Sequence, residues 1–247
     1  MRRVGALVAE TIRRMREAVR PGVTTAELDL LAARTFHEYG ALSGPMETYS
    51  FPGSTCISVN EEVVHGIPGD RKLEAGDIVG LDLGAIVDGF FGDAARTVAV
   101  GAISAEAQKL MKVTRESLMQ GIAQVRPGNR VGDIGHAVQK HAEAHGYSVV
   151  RNFVGHGIGT ALHEEPEVPN FGKAGRLARL VPGMCLAIEP MVNAGGPEVK
   201  VLDDEWTAVT VDGSLSAHFE LTVAVTQEGP WILSEPYPYG QEQRAHA

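Results

Sequence analysis

The sequence of 247 residues predicts an α+β fold built as a pseudo-twofold duplication, an antiparallel sheet covered by helices. Three observations carry that expectation. Four stretches place apolar residues at helical spacing, and they come in two pairs. Residues 79–100, VGLDLGAIVDGFFGDAARTVAV, read as two apolar strands joined at Asp88-Gly89, a dipeptide that suits a tight hairpin because both positions tolerate positive φ. The chain also repeats itself at a nearly constant offset.

Taken in order, residues 4–19 space Val4, Leu7, Val8, Ile12, Met15 and Val19 along one helical face, and Pro21-Gly22 stops the helix. Thr24 and Glu27 form a capping box for a second helix, with Leu28, Leu31 and Phe36 inside and Gly40 as its stop. A loop through Gly44-Pro45 and Pro52-Gly53 leads into CISV, a short strand. NEEVVHGIPGD follows as a loop, with His65 inside an apolar stretch, and then the hairpin. Helical spacing returns over 105–125 through Leu110, Val113, Leu118 and Ile122, and again over 131–145, closed by Gly146. Strands are expected at SVV and around 184–192, 207–211 and 219–225, with the glycine-rich GHGIG between the first two.

The repeat is internal. VRPG occurs at 19–22 and at 125–128, an offset of 106 that the helix stops Gly40 and Gly146 keep. LEAGDIVGLDL aligns with LVPGMCLAIEP, which sets Asp82 against Glu189, and TVAV follows both Asp93 and Glu220. Halves of about 1–103 and 104–235 form one domain in this reading, and 236–247 is a polar tail with two prolines.

Composition narrows the function classes. Hydrophobic content of 44% and charged content of 21% are those of a globular protein, and the net charge of −9 without a basic run argues against nucleic acid as a direct partner. Two cysteines make no disulfide framework, which points to a reducing cytoplasm. The apolar run at the N-terminus is interrupted by Glu10 and Arg13, so it is neither a signal peptide nor a membrane span.

Four acids stand where core strands would be apolar: Asp82, Asp93, Glu189 and Glu220. With a turn at 88–89, Asp93 faces Gly84, on the same side of the hairpin as Asp82 and diagonal to it, about 7–8 Å away at the backbone. The plain alternative is an exposed edge residue and a turn residue; Asp88 itself belongs to the turn. Four like charges at one buried centre are strongly disfavoured without cations, whereas two divalent ions bridged by carboxylates make physical sense of them. His156 in GHGIG, His163 in LHEEP and His65 in HGIP fall beside these strands. Singly, each reads more often as a satisfied core residue than as a ligand. Together they complete a site.

The combination of CISVNEEVVHGIP, LDLGAIVDGFFGD, GHGIGTALHEEP, AIEPM and HFELTVAVT resembles the type I methionine aminopeptidases, enzymes of the pita-bread fold, from about Val4 to Trp231. The resemblance implies that Asp82, Asp93, His156, Glu189 and Glu220 hold two divalent ions, of Co, Mn, Fe(II) or Zn. It implies that Glu189 also shuttles the proton, that His163 stabilises the tetrahedral oxyanion, and that His65 contacts the peptide near the scissile bond. It makes Phe51, Cys56, Leu162 and Trp206 the expected wall of an apolar methionine pocket. The implied substrates are peptides and nascent chains with N-terminal methionine and a small second residue, cleaved by a monomer in transient contact with the ribosome.

Two departures from the family pattern stand out. The acid of the last strand is usually followed by His, whereas Leu221 follows Glu220. The chain also begins inside what resembles the family's first helix, so the expectation is a natural start upstream or a trimmed N-terminus. Rival readings within the fold are Xaa-Pro aminopeptidases, which usually carry a further N-terminal domain, and non-catalytic peptide-binding relatives that have lost their ligands.

Overall fold

The structure is a computed structural model and describes residues 1–235; the 236–247 tail lies outside the described residues. Helices α1 (Arg2–Ala18) and α2 (Thr25–Glu38) open the chain, followed by β1 (Leu42–Ser43), α3 (Gly44–Tyr49), β2 (Cys56–Val59) and β3 (Glu62–Val64). The hairpin is β4 (Ile78–Val87) and β5 (Phe90–Ala99). Helices α4 (Ala105–Ile122) and α5 (Val131–Ala144) begin the second half. Then come β6 (Ser148–Val149), β7 (Gly155–Gly157), β8 (Glu164–Val168), β9 (Cys185–Ile188) and β10 (Met191–Asn193). The last strands are β11 (Val199–Val201), β12 (Ala208–Thr210), β13 (Ser216–His218), β14 (Leu221–Thr226) and β15 (Gly229–Ile232).

Local chemistry explains the helices. In α1, Val4, Leu7, Val8, Ile12 and Met15 are buried against the hairpin, while Arg13 spans Glu10 and Glu17 on the outer face at 2.7–2.8 Å. Each fully buried side chain of this size contributes roughly 1.5–3 kcal/mol, and each exposed ion pair only about 0.2–0.5 kcal/mol. Burial decides this helix. The capping box of α2 forms as expected: Thr24 Oγ1 accepts from the Glu27 amide at 3.1 Å, and the Glu27 carboxylate accepts from the Thr24 amide at 2.8 Å.

The hairpin has the register expected of a two-residue turn, Val87 facing Phe90, Asp82 facing Ala95 and Gly84 facing Asp93. Asp88 and Gly89 both have positive φ, 53° and 78°. Among the described residues all strand pairing is antiparallel and is spread over four sheets, two of which carry or adjoin the acids. One runs β1-β4-β2, with β5 also on β4; the other runs β15-β14-β9-β7-β8. Each has its own core. The first packs α1 and α2 on Leu81, Leu83 and Val98, and the second packs α4 and α5 on Leu186, Ile188 and Val223.

A seam joins the two sheets. Ala95 and Glu220 exchange backbone hydrogen bonds, the Glu220 amide donating at 2.9 Å. On either side, the Thr97 hydroxyl bonds both the amide and the carbonyl of His218, at 2.9 Å each. The Thr222 hydroxyl does the same for Asp93, at 3.0 and 2.7 Å. This lateral stitching brings the acidic strand pairs of both halves to one centre.

Four local expectations need correction. Residues 62–64, expected within a loop, form the strand β3, because Val63 and Val64 are buried and the segment pairs with β12. Residues 44–49 form a short helix rather than loop, because Ser43 caps it and Pro45 sits in its first turn, where a missing N–H costs nothing. The strand expected over 184–192 breaks at Glu189-Pro190 into β9 and β10, since proline cannot donate to the ladder. The strand expected from 219 begins at Leu221, which leaves Glu220 at the junction of β13 and β14.

Candidate metal centre

The centre is assembled from paired strands and from the breaks between them. Asp82 and Asp93 project from β4 and β5 on one side of the hairpin. His156 sits in the middle of β7, wedged between β8 and β9; a Cβ on Gly155 would lie 2.3 Å from the Ala187 carbonyl oxygen, and one on Gly157 2.4 Å from that of Glu165. Only glycines let the three backbones pack this closely around the histidine. Glu189 enters from the break before Pro190, and Glu220 from the seam.

These side chains meet in one cavity of about 290 Å³. Every residue singled out from the sequence lines it: Asp82, Asp93, His156, Glu189 and Glu220, His65 and His163, and Phe51, Cys56, Leu162 and Trp206. One ligand atom each from Asp93, His156 and Glu220 lie within 4.8 Å of one another. Glu189 adjoins this cluster, its Oε1 3.5 Å from His156 Nε2, and Asp82 lies diagonally along the hairpin. His156 donates from Nδ1 to the Gly157 carbonyl at 2.8 Å, which leaves Nε2 as the lone-pair nitrogen facing the acids.

By themselves, the four carboxyls are electrostatically unfavourable together. Burial pushes Asp82, Glu189 and Glu220 well above the usual carboxylate range, and the charge of Asp93 pushes each further. Burial raises Asp93 itself to about 7. It lowers His156 and His65 to about 4, with the neighbouring His163 adding to both. Among the described residues, Asp93 Oδ1 and Glu220 Oε1 are buried without a hydrogen-bond partner. Unpartnered carboxylate oxygens beside a neutral imidazole nitrogen are the donor set a divalent ion takes. The residues fit such ions.

The cavity wall is apolar on the other side. Phe51 and Trp206 meet edge to face with ring centroids 5.1 Å apart, and Cys56 and Leu162 are buried beside them. Cys56 pairs directly with Asp82 across β2 and β4, and burial, then that carboxylate, raises its thiol pKa. His65 has φ +60°, an uncommon backbone state for a residue with a side chain, and its ring stands edge-on to Phe153 at 5.4 Å.

Sequence reasoning missed three residues here. His218 is 4% exposed, its Nε2 has no hydrogen-bond partner among the described residues, and it lies 3.7 Å from Glu189 Oε2, behind that carboxylate. Thr222 holds Asp93, and Tyr49 bonds His163. His218, Glu220 and Thr222 alternate along the chain, a period of two that could have flagged both neighbours once Glu220 was chosen. Tyr49 carried no such signal. Leu221, out of phase with them, is buried in the core of the second half.

Comparison with known proteins agrees with this geometry. Residues 1–227 match the profile of metallopeptidase family M24. The chain is 53% identical over 234 residues to a methionine aminopeptidase of Clostridium perfringens, covering 95% of this chain and 94% of that one. It is 49% identical to methionine aminopeptidase 1 of Bacillus subtilis, with the same coverage of each. The crystal structure of the Rickettsia prowazekii methionine aminopeptidase superposes with a TM-score of 0.92 at 43% identity, covering 94% of both chains. The chain belongs to metallopeptidase family M24 and, within it, to the methionine aminopeptidases.

Proposed function

We propose that the protein removes N-terminal methionine from peptides and nascent chains with a small second residue, and that Asp82, Asp93, His156, Glu189 and Glu220 hold the two divalent ions it uses. The observation that carries this reading is the single cavity in which an acid and histidine cluster faces a wall of Phe51, Cys56, Leu162 and Trp206. When bound, the ions supply Lewis acidity, which lowers the pKa of a water and withdraws charge from the scissile carbonyl. Glu189 takes the proton of the attacking water and passes it to the leaving amine. His163 donates a hydrogen bond to the oxyanion as it forms, and such a donor accounts for roughly 10²–10³ in rate. His65 holds the peptide beside the scissile bond. The apolar wall receives the unbranched methionine side chain, and a missing methylene there costs about 1–3 kcal/mol of discrimination.

Nascent chains as substrates would bring the protein to the ribosome in the cytoplasm, and we infer that it acts there as a monomer in transient contact. No helix of the described residues is long and apolar enough to cross a membrane. Sedimentation of the protein alone and with ribosomes reads out both the oligomeric state and the contact.

The test offers Met-Ala-Ser, Met-Lys-Ser and Ala-Pro-Ser in parallel to apo-protein reconstituted with Mn or Co. Release of methionine from Met-Ala-Ser alone, abolished by Asp93→Ala, supports the reading. Cleavage of Ala-Pro-Ser instead would transfer the protein to the proline-specific peptidases. Binding of metal without any cleavage would leave a peptide-binding role.

A further inference from the structure

The hydroxyl of Tyr49 lies 2.6 Å from Nδ1 of His163, a short and direct hydrogen bond between the rim of the cavity and its interior. Tyr49 is the last residue of α3 and is about half exposed, while His163 lines the cavity. The local build is specific. Ser50 follows in the left-handed region, φ 57°, and reverses the chain so that Tyr49 stays at the mouth while Phe51 turns into the wall. Among the described residues, His163 is the hydroxyl's only hydrogen-bond partner.

A neutral imidazole carries one proton, and the partner of one ring nitrogen decides which nitrogen keeps it. The neighbouring His156, whose ring centroid is 4.1 Å from that of His163, is fixed with its proton on Nδ1 by the Gly157 carbonyl. A ring that must present a lone pair is thus held by an acceptor. A ring that must present a proton needs the opposite, a donor at Nδ1, and a phenol hydroxyl is one.

We infer that Tyr49 is a positioning residue: its hydroxyl donates to Nδ1 of His163, holds that ring in the Nε2–H tautomer, and aims the N–H at the substrate carbonyl oxygen. The two neighbouring imidazoles, tilted 50° to one another, then carry their protons on opposite nitrogens, one to bind metal and one to bind the oxyanion. This rests on the oxyanion role proposed for His163.

The test compares the wild-type protein with Tyr49→Phe, which keeps the ring and removes only the donor. Long-range ¹H–¹⁵N correlation spectra, with the His163 signals assigned from a His163→Gln spectrum, report the tautomer directly. The expected result is Nε2–H in the wild type and a mixture in Tyr49→Phe. In turnover of Met-Ala-Ser, kcat falls by roughly 10–100-fold, the range for partners that orient a functional histidine, while KM and bound metal stay within twofold. In a His163→Gln background, Tyr49→Phe costs nothing more. A wild-type His163 protonated on Nδ1, or a Tyr49→Phe enzyme with wild-type kcat, overturns the inference. If the wild type releases no methionine at all, the functional reading fails, and the spectra still decide the tautomer.

Discussion

The hairpin β4–β5 and the pair β9–β14 carry the same acidic motif, yet they are built differently. In the first, a two-residue turn joins the strands, and Asp82 and Asp93 sit within regular ladders. In the second, the chain leaves at Glu189-Pro190, runs through β10, β11, β12 and β13, and returns at Glu220. Both glutamates stand at breaks in pairing, and the excursion between them delivers Trp206 to the cavity and His218 to the back of Glu189. The hairpin sets its own register by local chemistry. The second pair depends on being stitched to the first, through Ala95, Thr97 and Asp93. One half is the template, and the other carries the elaboration.

The largest expected effects fall on the acids themselves, and they separate the halves least. Asp93→Asn and Glu220→Gln should each lower methionine release by at least about 10³ with loss of bound metal, measured by turnover and metal analysis. In chelator-treated protein the same changes should raise Tm, because each removes a buried carboxyl that the metal-free fold ionises only at a cost. A variant that kept metal and activity would break the claim that both halves supply ligands.

Metal removal sharpens the point through pH. The metal-free folded state raises Asp93 from the ordinary 3.8 to about 7, so it binds that proton more tightly than the unfolded chain does. Its contribution is fully present below about pH 4 and is lost as pH rises through about 7. Asp82, Glu189 and Glu220 are raised likewise and act over the whole interval, whereas the lowered buried histidines oppose them only below about pH 6.5, so chelated protein should be less stable at pH 7.5 than at pH 5. Metal-loaded protein should show the opposite slope, since ligation requires the carboxylates deprotonated. Thermal melts at the two pH values, with and without chelator, check this, and parallel slopes would contradict it.

The seam gives an intermediate effect. Thr222→Val removes a hydroxyl that bonds both the amide and the carbonyl of Asp93 and leaves buried backbone groups unsatisfied. The expected cost is about 1–3 kcal/mol in urea unfolding, with a fall in metal affinity because Asp93 loses its anchor to the second half. Unchanged metal affinity would mean that the hairpin alone positions Asp93. The smallest effect belongs to the turn: Gly89→Ala, at φ 78°, should cost about 1 kcal/mol and leave turnover near wild type, because the extended hairpin pairing still sets the register.

Much of the site was legible because its information is local or periodic. Asp88-Gly89 predicts the turn, the turn predicts that Asp93 faces Gly84, and Thr24 with Glu27 predicts a cap that forms atom for atom. His156 between two glycines marks a backbone too crowded for any side chain beside it. What escaped were relations between distant segments. Helix α3 is too short to show periodicity, so Tyr49 read as loop, and its contact with His163 spans more than a hundred residues of chain. His218 lies just outside the strand expected over 219–225, and its place behind Glu189 is set by a distant segment.

By itself, then, the sequence determined the four long helices, the hairpin with its two aspartates and how that hairpin pairs, because spacing, caps and turns act over a few residues. Only the tertiary structure decided how two separately cored sheets are stitched so that their acids meet, that His156 offers Nε2, and that a rim tyrosine reaches His163. Those outcomes depend on hydrogen bonds across the seam and on close backbone approach between β7, β8 and β9, which no short window of sequence encodes.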